Sequence, residues 1–302
     1  MKKNILISIF LIIFLINSKL IIESVKNASI LFFNNIFISL FPFMILSEIL
    51  FYYDYHIFIK NTFLGKIITK LFNSNEIITT IFIFSIFSSN PNNAVYIKNM
   101  LDKKQLNEKD ATNILCFTYF PSILFTIASI GILIFNNIKI GIALYLNCIL
   151  NNLLIAIYLK KEKITTIKNI NLNHKETLIN TIKNSIIKSI NNLYIILGII
   201  IIFSIILNLI KKITRANNIF LLIISSFLEL SNTINIIKNI ELNLYLKLFI
   251  TSFSLNFSGL SILFQSFTIL NNYKLNIKKI LIIKLIFSLI TSIILLSILH
   301  II

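Results

Sequence analysis

Cysteine is nearly missing from this chain. Cys116 and Cys148 are the only two, each inside an apolar stretch, which leaves neither a disulfide framework nor a thiolate metal site. Histidine is as sparse: His56, His174 and His300 are dispersed, and none stands in a metal-ligand spacing such as His-Glu-x-x-His. No metal or other cofactor is therefore expected. Five glycines and three prolines include no Gly-x-x-x-x-Gly-Lys phosphate loop and no Gly-x-Ser-x-Gly elbow, so ATP-driven pumping and hydrolase chemistry lack a sequence basis and no enzyme activity is expected. Acidic residues are also few, 11 against 28 basic ones. The lysines are scattered between hydrophobic segments rather than gathered on a soluble domain, which argues for loop charge and against nucleic acid as a partner.

What the chain has in quantity is apolar length. Of 302 residues 57% are hydrophobic and 13% charged, and several stretches approach or exceed the roughly 18 to 20 residues that cross a bilayer as a helix. Runs such as LYIILGIIIIFSIILNLI (193–210) are apolar on every face, unlike the alternating strands of a β-barrel. The fold class read from this pattern is all-α: a polytopic helical membrane protein with about seven transmembrane helices and two re-entrant hairpins in an internal repeat. Membrane lipids are its obligate partners. Spans are predicted near 4–18, 29–53, 112–136, 138–159, 189–210, 217–232 and 279–302. The basic, apolar start (1–28) has no small-residue cleavage site and is read as a signal-anchor helix with a linker. A first membrane half covers 29–159, a basic loop 160–188, placed in the cytoplasm by its lysines, and a second half 189–302.

Two apolar pieces, 77–87 and 244–255, are too short to span, and each runs into a polar or glycine break before a second short apolar stretch. These predict hairpins over about 77–101 and 244–270, whose irregular tips survive at membrane depth only when buried in protein or lining an aqueous cavity. Shifted by 169 residues, SNPNNAVYIKNMLDKKQLNEK (89–109) lies on SGLSILFQSFTILNNYKLNIK (258–278), which predicts a repeat with Glu48 and Glu229 as partner carboxylates. Pro91 lacks an N–H and biases Asn90 away from helix, while Gly259 accepts backbone geometries that other residues resist. The breaks would free main-chain groups beside polar side chains and make a small polar site. Its expected residues are Glu48, Asn90, Pro91, Asn92, Asn93, Glu229, Asn232, Ser258, Gly259, Ser261 and Gln265. A carboxylate in an apolar helix is costly unless paired, protonated or facing water, which singles out Glu48 and Glu229. Gln265, one turn beyond Ser261, shares its helical face. Pro42 and Pro121 read as kinks in predicted spans.

LFPFMILSEIL (40–50), CFTYFPSILFTIASIGILIF (116–135), FLELSN (227–232) and FSGLSILFQSFTIL (257–270), with the hairpin break between the first two, carry a family resemblance. From about residue 29 onward the chain resembles the YlbJ family of sporulation integral membrane proteins, within the nucleoside-recognition or gate-domain superfamily. The resemblance implies a multi-pass protein of a bacterial cytoplasmic or spore membrane that is required for spore development. The superfamily also holds nucleoside transporters, so a nucleoside or other small polar solute, and other sporulation membrane proteins, are the partners it suggests. At the first break the family has a glycine-rich turn where this chain reads Ser89-Asn90-Pro91-Asn92-Asn93, keeping only the proline. Three functions follow as expectations: a transporter-like site for a small polar solute or ion in a spore-forming cell, a non-transporting scaffold of spore formation, and a solute transporter unrelated to sporulation.

Overall fold

The computed structural model describes residues 8, 11–53, 55–72, 76–160, 177–214 and 218–301. Most of the basic loop and the first residues of the expected anchor lie outside them. The described residues form an all-α, multi-pass architecture, with four helices long and apolar enough to cross a bilayer by length and composition. Ile138–Leu159 coincides with an expected span, Leu178–Thr214 contains another, and Ile277–Ile301 matches the last. The fourth, Leu244–Ile269, falls where the second hairpin was expected.

The molecule is built from two like-ordered halves. Each begins with a long helix. In the first half Ser18–Leu31, a π-helical turn at Phe32–Phe37 and Ile38–Tyr52 follow one another; in the second the long helix is Leu178–Thr214. The two pack antiparallel, since Lys212 Nζ bonds Asn17 Oδ1 at 2.7 Å, Asn208 Nδ2 bonds Ser24 Oγ at 2.8 Å, and Lys188 Nζ pairs with Glu48 Oε2 at 3.4 Å. Short helices His56–Asn61 and Phe63–Phe72 are an addition of the first half.

A hairpin comes next in each half. Glu76–Ser88 and Asn92–Asp102 fold back on one another, as shown by the Phe84 and Tyr96 rings, whose centroids are 5.9 Å apart. Along an unbroken helix those residues would be about 18 Å apart. In the second half Asn218–Leu228 and Leu230–Asn239 do the same: Asn218 and Leu221 line one cavity with Asn235, Ile236 and Asn239. The first hairpin opens beside Glu48 and Lys188, where Asn99 Nδ2 donates to Glu48 Oε1 at 2.9 Å. The second opens beside Lys211, about 34 Å further along the long helix. The hairpins thus open toward opposite ends of the long helix.

Each hairpin is followed by a broken span and a closing helix. Glu108–Cys116 is separated from the π-helical Phe125–Ile132 by an irregular stretch at 117–122. Leu244–Phe257 and Gly259–Ile269 are separated only by Ser258. The closing helices are Ile138–Leu159 and Ile277–Ile301, related by a shift of 139 residues. Four asparagines begin these elements: the side chains of Asn107, Asn137, Asn243 and Asn276 accept from the amides of Asp110, Lys139, Tyr245 and Lys279. Asparagine is among the best residues for that position, because its short amide satisfies a first-turn N–H that has no helical partner.

Several sequence expectations change here. The expected hairpin over 244–270 takes the form of a broken span, and the second hairpin lies at 218–239, within and beyond the span expected at 217–232. The repeat therefore pairs 76–102 with 218–239 rather than with 244–270. The 169-residue register nevertheless matched one real likeness, because Ser89 and Ser258 both have positive φ, 60° and 73°. The physical reason lies in the turn. One left-handed residue and Gly259 (φ 69°) let the helix restart onward, whereas Ser89, Asn90 and Pro91 reverse it. The expected span at 112–136 is also interrupted rather than kinked, with Pro121 in the interruption.

Candidate functional site

The first tip is held against the first broken span. Asn90 N donates to Phe120 O at 2.9 Å and Phe120 N returns a bond to Asn90 Oδ1 at 3.0 Å. Asn93 Nδ2 donates to Thr118 Oγ1 at 3.3 Å, and Asn92 Nδ2 to Ser88 O at 2.9 Å. Pro91, buried, starts the returning arm. Asn92 and Asn93 are fully buried, and the Oδ1 atom of each lacks a hydrogen-bond partner.

The second tip is held differently. Glu229 turns the chain and caps the arm behind it, its carboxylate accepting from Ser231 N at 3.1 Å and Asn232 N at 2.7 Å. The tip rests on the second break so closely that a Cβ on Gly259 would meet Leu228 O at 3.2 Å. Ser258 is buried and its hydroxyl reaches only Leu255 O, at 3.4 Å. Gln265 Nε2 lies 3.5 Å from Ser261 Oγ, so the two buried side chains bond one another.

Between the tips lies a closed circuit of polar groups that the sequence reading did not name. Lys284, fully buried two turns into the last helix, donates from Nζ to Asn256 O at 2.9 Å. Asn256 Nδ2 bonds Thr291 Oγ1 at 3.0 Å, and Thr291 Oγ1 bonds Asn151 Oδ1 at 3.2 Å. Its neighbour Asn152 donates from Nδ2 to Tyr119 O at 2.6 Å, and the Tyr119 ring centroid lies 4.3 Å from Lys284 Nζ, closing the circuit through a cation–π contact. A second layer sits beside it, where Asn147 Nδ2 bonds Ser252 Oγ at 2.8 Å and Ser252 bonds Ser292 at 2.9 Å.

The circuit joins the two halves and both tips. Tyr119 stands between Thr118 and Phe120, the residues that hold the first tip. Asn256 stands just ahead of Ser258 and Gly259, on which the second tip rests. Asn151 and Asn152 come from one closing helix, Lys284 and Thr291 from the other. Lys284 occupies the position that Tyr145 holds in the first half, and Tyr145 Oη donates to the first hairpin at Ile86 O, 2.6 Å. Three side-chain amide atoms of the circuit, Asn151 Nδ2, Asn152 Oδ1 and Asn256 Oδ1, are buried without a hydrogen-bond partner. Buried polar atoms are nearly always satisfied, because leaving one unpaired costs about 1–3 kcal/mol, so the circuit has spare bonding capacity that a polar molecule, water or solute, can take up.

Of the expected site residues, Asn90, Pro91, Asn92 and Asn93 lie at the first tip, and Glu229, Ser258 and Gly259 at the second. Glu48 lies elsewhere. It sits beside the open end of the first hairpin, bonded to Asn99 and ion-paired with Lys188, so it is not the counterpart of Glu229, which sits at a tip. Asn232 faces the cavity of about 290 Å³ that it lines with Asn208, Lys211 and Asn239. Lys284 had a readable signal, a lysine inside an apolar span, the same signal that drew attention to the glutamates. Asn151, Asn152 and Asn256 had none, because asparagine is abundant throughout the chain. No protein-family model, curated protein or solved structure matches this chain.

Proposed function

We propose that the chain binds a small polar solute at the Lys284–Asn256–Thr291–Asn151–Asn152–Tyr119 circuit and passes it across a bacterial cytoplasmic or spore membrane by exposing the circuit to each face in turn. The observation that carries this reading is the set of unpaired buried polar atoms lying between two hairpins that open toward opposite ends of the long helix. Hairpins and broken helices put irregular backbone at membrane depth, which is tolerated where it serves a cavity or site, and two halves of opposite orientation can exchange roles to open either side. The likeness to the YlbJ family supports a place in spore development.

The test is thiol accessibility in native membranes. With Cys116 and Cys148 replaced, single cysteines at Asn92 and Ser258 are treated with a small membrane-impermeant thiol reagent, and Lys274→Cys in an exposed turn serves as the control. Reaction at both buried positions supports an aqueous pathway. Inertness at both while the control reacts sinks transport and leaves the second reading, a scaffold of spore formation that recruits sporulation membrane proteins. That reading is favoured by the links between halves at the Lys188 end, where Tyr273 bonds Asp102, Lys274 N donates to Glu108 Oε1 at 2.9 Å and Lys279 Nζ to Asn113 Oδ1 at 2.7 Å.

A further inference from the structure

Lys284 narrows the chemistry of the solute. An ammonium group has three hydrogens to donate, and the circuit uses one, on Asn256 O. Among the described residues no carboxylate pairs with it. Glu48 is engaged by Asn99 and Lys188, and Glu229 by the amides of its own tip. A buried ammonium without a counter-charge is among the most costly arrangements inside a membrane protein, so the amine holds its third proton when an anion comes to face it. Its partners in the circuit carry the complementary vacancies: Asn151 Nδ2 is an unused donor, and Asn152 Oδ1 and Asn256 Oδ1 are unused acceptors.

We infer that the circuit binds an organic oxyanion. Carboxylate or phosphate-type oxygens take the remaining hydrogens of Lys284 and the amide of Asn151, and hydroxyl or amino groups of the same molecule donate to Asn152 and Asn256. This inference rests on the circuit being a solute site and adds the sign of the solute's charge. The ammonium repels inorganic cations from the same place, so a metal ion is the wrong occupant. A neutral nucleoside would fill the amide positions and leave Lys284 unmatched.

The full chain is purified into zwitterionic phosphatidylcholine nanodiscs, and its thermal midpoint is followed while acetate, inorganic phosphate, glycerol phosphate or uridine is titrated at matched ionic strength, with sodium chloride as reference. The expected result is a saturable rise with at least one oxyanion and none with uridine. Lys284→Met raises the apparent Kd at least about tenfold, and Lys284→Arg stays within a few fold, as expected for loss of a charge-assisted bond. Asn151→Ser, which keeps the circuit polar, weakens binding a few fold and serves if Lys284→Met does not fold. A Lys284-dependent rise given by phosphatidylglycerol discs without soluble anion assigns the same oxyanion chemistry to a lipid headgroup. A uridine response that survives Lys284→Met overturns the inference and leaves the solute site standing, and so does the lack of any Lys284-dependent oxyanion response in either disc when the thiol test has shown an aqueous pathway. Thiol inertness at Asn92 and Ser258 sinks the site itself.

Discussion

The two hairpin tips do the same job with different chemistry. At the first, an irregular break in the facing span leaves main-chain groups exposed, and Asn90 and Asn93 reach across to Phe120 and Thr118 with their amides. At the second, the facing break is a single residue, little main chain is exposed, and contact is made by backbone against backbone at Gly259, with Glu229 stabilising its own turn. A wide break calls for polar side chains from outside. A narrow one calls for the absence of a side chain. The chain with five glycines places one where a narrow break requires it.

The comparison is broken most severely at Gly259. Gly259→Val forces a β-branched residue into positive φ and drives its side chain toward Leu228 O, for an expected loss of about 3 kcal/mol in a chemical unfolding curve in detergent. Asn92→Val, at the first tip, has no such backbone penalty, and equal losses at the two would show that the tips do not differ as described. Next comes Glu229→Ala, which strips two part-buried amides of their acceptor and is expected to cost about 2 kcal/mol; Glu229→Gln keeps an acceptor and is expected to cost under about 1 kcal/mol. A severe loss of stability with Glu229→Gln would mean that the charge, not the capping, matters.

Asn90→Ala sharpens the other side of the comparison. It leaves Phe120 N buried and unpaired, for about 1.5 kcal/mol, whereas Asn90→Asp retains the acceptor and restores most of that in the same unfolding assay. Smallest is Lys188→Ala. The lysine side chain is 61% exposed, so breaking its pair with Glu48 is expected to cost less than about 1 kcal/mol and to fade with added salt. At the same end, the hydrogen bond that Tyr273 donates to Asp102 pushes the phenol up to about 12 from its usual value near 10. The raised value means that the link contributes fully below about pH 10 and is lost as pH rises through about 12. Tyr273→Phe is expected to lower stability by a small constant amount throughout the neutral range and to converge with the unsubstituted chain as pH rises through about 12, read in the same unfolding assay.

Much of this architecture could be read from residue patterns. Apolar length gave the membrane class and located Ile138–Leu159, Leu178–Thr214 and Ile277–Ile301 to within a few residues at most ends, because a helix crossing lipid must be apolar over a fixed length. Helix breaks at Pro91 and Gly259 were also legible, since proline and glycine act through local backbone rules. The direction of the chain after a break was not. Whether it reverses, as at Asn90, or continues, as at Ser258, depends on what packs on either side, and only the structure shows that 218–239 is the second hairpin. The asparagines were the hardest to judge: Asn107, Asn137, Asn243 and Asn276 cap helices, Asn151, Asn152 and Asn256 build the circuit, and no local pattern separates the two uses.

One element has a consequence for how the membrane itself sits on the molecule. Leu178–Thr214, with 37 residues, is about 55 Å long, against roughly 30 Å of hydrocarbon. Its first turns, with Lys183 and Lys188, stand clear of the lipid unless the helix leans far over, and the antiparallel partner ending at Tyr52 is tied to them through Glu48. The pair makes a stiff two-stranded stalk. A torque applied to the stalk at its Lys188 end is delivered through Asn99 to the arm of the first hairpin, so anything that grips this end outside the bilayer has a mechanical handle on the tip within it.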